Sequence, residues 1–130
     1  SSLTAGAAEM KPAESPAALP DALQQMLVKA SECLVKAEIC SAHCLKLVAA
    51  GDTSISDCLS AVQATKAMCS ALLTLGSLEV RQLKAFVQVC VDVSKDCEKA
   101  CRKHEHHHVQ CKECAEACAD CIQACEAYLG

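Results

Sequence analysis

The sequence predicts an all-α fold, an antiparallel up-down-up-down four-helix bundle behind a flexible amino-terminal leader. Three observations carry that reading. All three prolines, Pro12, Pro16 and Pro20, fall in the first twenty residues. Beyond them, Gly51 and Gly76 are the only glycines before the terminal Gly130. From Asp21 to Tyr128, apolar residues recur three and four positions apart, the spacing of one helix face.

Residues 1–20 mix Pro, Ala, Ser and Glu with no apolar period, the composition of a leader that buries nothing. Residues 21–130 then form one bundle domain. The first helix runs from about Asp21 to Ala49 and stops at Gly51. The second runs from Ile55 to Leu75, with Ser54 and Asp57 in a capping-box-like spacing and Gly76 as its stop. Ser77 caps a third helix from Leu78 to His104. The fourth spans Val109 to Tyr128. Short links between long helices make neighbours antiparallel.

Heptad spacing assigns an inward stripe to each helix. In the first it is Met26, Ala30, Cys33, Ala37, Cys40, Cys44 and Leu47. In the third it is Leu83, Val87, Cys90, Ser94, Cys97, Cys101 and His104, the same pattern displaced by 57 positions. The second presents Cys58, Val62, Thr65, Cys69 and Leu72; the fourth presents Cys111, Cys114, Cys118, Cys121, Cys125 and Tyr128. Cys58 and Cys69 match Cys114 and Cys125 at an offset of 56, so the chain reads as a duplicated helical hairpin. Every one of the thirteen cysteines falls on an inward stripe. Cys33 to Cys44, Cys58 to Cys69 and Cys90 to Cys101 each span eleven residues, about 16 Å of helix. Those spans coincide in height and line a continuous tube.

With one Phe, one Tyr and no Trp, sulfur and small side chains must fill the interior. A net charge of −4 argues against nucleic acid and anionic membranes as partners, both of which select basic surfaces. No apolar run approaches the ~20 residues of a membrane span. The Ala/Pro leader, and Ser1 where an initiator Met would stand, favour an exported, periplasmic protein over a cytoplasmic one. No phosphate loop, nucleophile elbow or paired-carboxylate constellation is present, and Glu105-x2-His108 lacks the second such motif of a di-iron bundle. The chain does not read as an enzyme.

Three readings compete for the thiols. A disulfide scaffold suits a small cysteine-rich chain. Yet Cys40/Cys44, Cys97/Cys101, Cys114/Cys118 and Cys121/Cys125 are i,i+4 pairs with Cβ atoms ~5–6 Å apart, wider than a disulfide allows. Buried cysteine as a small hydrophobe accounts for one or two positions but not for a whole helix stripe. Soft-metal binding fits both spacing and chemistry. Paired sulfurs can lie ~4.5 Å apart, close to two metal–thiolate bonds of ~2.3 Å. Thiolates select Cu(I), zinc and iron–sulfur clusters. In a dry tube each thiolate needs a neutralising charge, which Cu(I) supplies at about one ion per sulfur. A four-thiolate zinc site keeps two negative charges, so a zinc or general thiolate buffer is the alternative.

On its Cys-x3-Cys pairs, with Cys33, Cys58, Cys69, Cys90 and Cys111 on the same faces, the chain resembles the bacterial copper storage proteins over residues 21–130. That resemblance implies a cysteine-lined four-helix bundle, a homotetramer, and many Cu(I) ions per subunit. The metal ligands expected are the thirteen cysteines and, on the inward stripe at the tube's mouth, His104. His43 and the turn residues His106, His107 and His108 lie at that same end, where imidazoles can catch an ion or simply stay solvated. The opposite end, with Met26, Leu72, Leu83 and Tyr128, reads as an apolar plug. Met26 is packing rather than ligand, and Met68 lies off the stripe.

Overall fold

In the computed structural model, which describes residue 12 and residues 17–130, four helices follow one another: α1 (Asp21–Ala49), α2 (Ser56–Ser77), α3 (Leu83–Arg102) and α4 (Val109–Leu129). Most of the expected flexible leader, residues 1–11 and 13–16, lies outside the described residues. Around the bundle α1 packs on α2 and α4, and α3 packs on the same two neighbours. The four inward stripes therefore share one axis.

The turns explain where the helix ends fall. Gly51 stops α1 as expected: its φ of +94° lets the Asp52 amide reach back to the Leu47 carbonyl at 2.9 Å. Ser54 does not cap α2. It donates to Asp52 Oδ1 from its amide and its hydroxyl, and the helix begins one residue after Ile55.

Gly76 is not a stop. It lies inside α2, where a Cβ would come within 2.7 Å of Leu27 Cδ2, so its missing side chain admits α1 at close range. The chain leaves α2 through Glu79, a left-handed residue at φ +50°. Ser77 is the last residue of α2 rather than a cap for α3, its hydroxyl donating back to the Leu73 carbonyl. Consequently α3 starts at Leu83, five residues later than the sequence suggests.

By length and composition α2 could cross a membrane, with 22 residues and an 18-residue stretch of mean hydropathy 1.3, contrary to the expectation that no run reaches that mark. Its apolarity serves the core. Cys58, Val62, Thr65, Cys69 and Leu72 are fully buried against the other helices. Leu23, Met26, Leu72 and Leu83 close the end of the tube opposite the α3–α4 turn, with Tyr128 packed against them. Met68, off the stripe by heptad count, is nonetheless buried.

Candidate metal centre

All thirteen cysteines are free thiols with no solvent exposure. At the end formed by the α3–α4 turn, Cys58 Sγ lies 3.2 Å from Cys101, 3.8 Å from Cys111 and 3.7 Å from Cys40. Cys40, Cys44, Cys58 and Cys111 have sulfurs within 4.8 Å of one another, as do Cys40, Cys101 and Cys114. One turn further in, Cys97, Cys114 and Cys118 form a third such group. The i,i+4 pairs stand open: Cys40–Cys44 is 4.0 Å and Cys97–Cys101 is 3.9 Å between sulfurs. Deeper still, Cys33 lies 3.8 Å from Cys118. Cys121 faces Cys125, Cys33 and Cys69 there, and Cys90 lies beside it.

Crowding sets the acidity of these thiols. Burial, with Cys121 close by, pushes Cys90 up to about 12. Cys40 also rises to about 12: contact with Cys101 opposes the rise, while contacts with Cys111 and Cys114 and burial drive it. Cys44 rises chiefly through burial. Cys101 and Cys118 rise through hydrogen bonds with Cys114 first, Cys69 and Cys125 through those with Cys121. The receiving sulfurs move the other way. Cys114 is held down at about 5 by Cys101, Cys118 and Cys40. Cys97 is lowered by Cys101 first, and Cys121 by Cys125 first.

The structure gathers the sulfurs but keeps the predicted histidine ligand apart from them. His104 Nε2 lies 2.9 Å from Asp57 Oδ1, and among the described residues no histidine belongs to the close-set ligand groups. His43 Nε2 pairs with His108 Nδ1 at 2.9 Å, and burial, followed by His108, lowers the His43 pKa. His106 is largely exposed. Sequence reading gave Asp57 only a capping role and missed its contact with His104, although it immediately precedes Cys58 where α2 meets the α3–α4 turn. Burial opposes ionisation of Asp57, but the His104 and Cys58 amide hydrogen bonds prevail and lower its pKa.

The buried polar residues among the described ones are Ser41, Thr65 and Ser94, none of them charged. Gln63 donates to Ser41 Oγ at 2.6 Å, and Thr65 donates to the Ala61 carbonyl. Ser94 Oγ pairs with no other oxygen or nitrogen; its contact is with the Cys121 thiol.

Fold and site together define a thiol-lined, metal-holding four-helix bundle. Residues 20–130 match the sequence profile of the copper storage protein family, and the chain belongs to that family. Among solved structures it is similar to the cytosolic copper storage protein of Streptomyces lividans with five coppers, at 26% identity and a TM-score of 0.77, over 84% of this chain and 92% of that one. The copper storage protein of the same organism loaded with 10 copper equivalents gives 26% identity and a TM-score of 0.78, over 88% and 92%. No curated protein matches the chain.

These matches correct the expectation of an exported protein. The similar Streptomyces protein is cytosolic. Proline and alanine content was a poor guide, because export signals are read from a charged stretch followed by an apolar one.

Proposed function

We propose that the bundle of residues 21–130, outside the leader of residues 1–20, stores and detoxifies copper by holding many Cu(I) ions through its cysteine thiolates. One observation carries this reading: thirteen sulfurs converge in a core without a buried charged side chain among the described residues. Each thiolate formed there requires a cation, and a univalent soft ion cancels it one for one. Zn²⁺ bound by four thiolates leaves two uncompensated negative charges in the same dry space.

The ligands are Cys33, Cys40, Cys44, Cys58, Cys69, Cys90, Cys97, Cys101, Cys111, Cys114, Cys118, Cys121 and Cys125. His104 takes part at the mouth, where rotation away from Asp57 frees its imidazole for an incoming ion. The role is storage rather than catalysis, since holding and releasing an ion needs no covalent chemistry. A homotetramer is the expected assembly, and exposed Val28, Val35 and Ile39 give α1 an outward apolar stripe for such contact.

Titration of the reduced protein with Cu(I) against a chromogenic chelator tests the function. Storage requires roughly one ion per thiol, set by charge matching. Saturation at one to about four ions, the occupancy of discrete four-ligand sites, would instead favour a zinc-type buffer. Sedimentation of the same sample reads the assembly.

A further inference from the structure

The tube is divided. Seven residues along each helix from the outermost cysteines Cys44, Cys58, Cys101 and Cys111 stand Ala37, Thr65, Ser94 and Cys118. This is a waist in which three of four positions carry no sulfur. Beyond it thiols resume with Cys33, Cys69, Cys90 and Cys121. On α1, α3 and α4 the nearest cysteines across the waist, Cys40 and Cys33, Cys97 and Cys90, Cys114 and Cys121, are seven residues apart, about 10.5 Å along a helix. Cu(I) held linearly between two thiolates spans only ~4.6 Å, twice a metal–sulfur bond of ~2.3 Å. The hydroxyls at the waist are hard donors with little affinity for a soft ion. Thr65 is also committed to the Ala61 carbonyl.

Among the described thiol–thiol contacts, one crosses this gap. Cys118 lies 3.8 Å from Cys33 on the inner side and belongs to the close-set group with Cys97 and Cys114 on the outer side. Resting on the copper-storage reading above, we propose that Cys118 is the relay through which Cu(I) passes from the outer chamber to the inner one. The step is a ligand exchange without change of oxidation state. Cys118 keeps its bond to the ion while a bond to Cys97 or Cys114 breaks and one to Cys33 forms. The vacated thiolate takes the next incoming Cu(I) and the proton leaving Cys33 is released, so charge balances as metal moves inward.

Ser94 supplies a second handle. It is fully buried, and its hydroxyl contacts the Cys121 thiol. On α3 it stands three residues from Cys97 and four from Cys90, so a sulfur at this position would bridge the waist independently.

Stopped-flow transfer of Cu(I) from a chelator tests the relay on wild type, C118S, S94C and the C118S/S94C double variant. In C118S the outer seven thiols should fill at the wild-type rate, while filling of the inner five slows by about tenfold or more, the effect of a barrier raised by ~1.4 kcal/mol. S94C should restore inner filling in the double variant and hasten it when made alone, a readout that survives if C118S folds poorly. Single-phase loading of C118S at the wild-type rate with only an ion or two lost would overturn the relay and leave storage standing. Wild-type saturation at a few ions would overturn both.

Discussion

Loading should release protons, and the amount follows from the thiol environments. Cys90 and Cys40, at about 12, are protonated at neutral pH. So are Cys44, Cys69, Cys101, Cys118 and Cys125, all raised. Cys111 is raised too: contact with Cys40 opposes the shift, but Cys58 and burial outweigh it. A copper ion binding at such a thiol displaces its proton, so affinity grows as pH rises and falls as pH drops. Each displaced proton changes the binding free energy by about 1.36 kcal/mol per pH unit, a factor of ten. Between pH 6 and 8 an ion that displaces one proton should thus gain about a hundredfold in affinity. Cys114, held at about 5, and Cys97 and Cys121, also lowered, give up their protons more readily and add less to this slope. Full loading should liberate at least about eight protons, one from each raised thiol. A pH-stat titration counts the protons directly, and chelator competition at pH 6, 7 and 8 reads the slope. Loading without proton release, or an affinity constant over that range, refutes the charge-matching argument.

Three further outcomes are expected. Leu72→Ala opens a cavity in the plug and should destabilise the apo protein by about 2–5 kcal/mol in urea unfolding; a loss under half a kcal/mol would mean the plug is not packed. Ser94→Ala removes a hydroxyl that helps to hold Cys121 down and should raise that thiol's pKa, read by pH-dependent alkylation, so an unmoved titration would mean the two do not interact. Replacing His104, His106, His107 and His108 by Ala should slow uptake at unchanged capacity, and unaltered loading kinetics would remove the mouth from the mechanism.

Much of the core was legible because helix period and cysteine placement repeat the same information. Cys33, Cys40 and Cys44 on α1 and Cys90, Cys97 and Cys101 on α3 mark one face twice over, and burial of all thirteen sulfurs follows from that face. Boundaries were harder to read wherever one residue type serves two purposes. Gly76 signals a helix stop in sequence but acts as a packing notch for Leu27, a use visible only once α1 lies against it. Glu79 then makes the turn in a conformation side chains seldom adopt. At the mouth, the His104–Asp57 and His43–His108 pairs join residues 47 and 65 positions apart. No spacing rule on a single helix reveals such pairings. The waist was present in the sequence as Ala37, Thr65 and Ser94, yet its meaning depended on the sulfur contacts of Cys118.

The most direct test of the central claim is a copper-edge anomalous difference map of the fully loaded protein. The account predicts a file of copper sites along the bundle axis, each bonded to cysteine sulfurs from facing or successive positions, on both sides of the Ala37–Thr65–Ser94 waist. Copper confined to the histidine-bearing mouth or to the outer surface, with the buried thiols left unbonded, would contradict it.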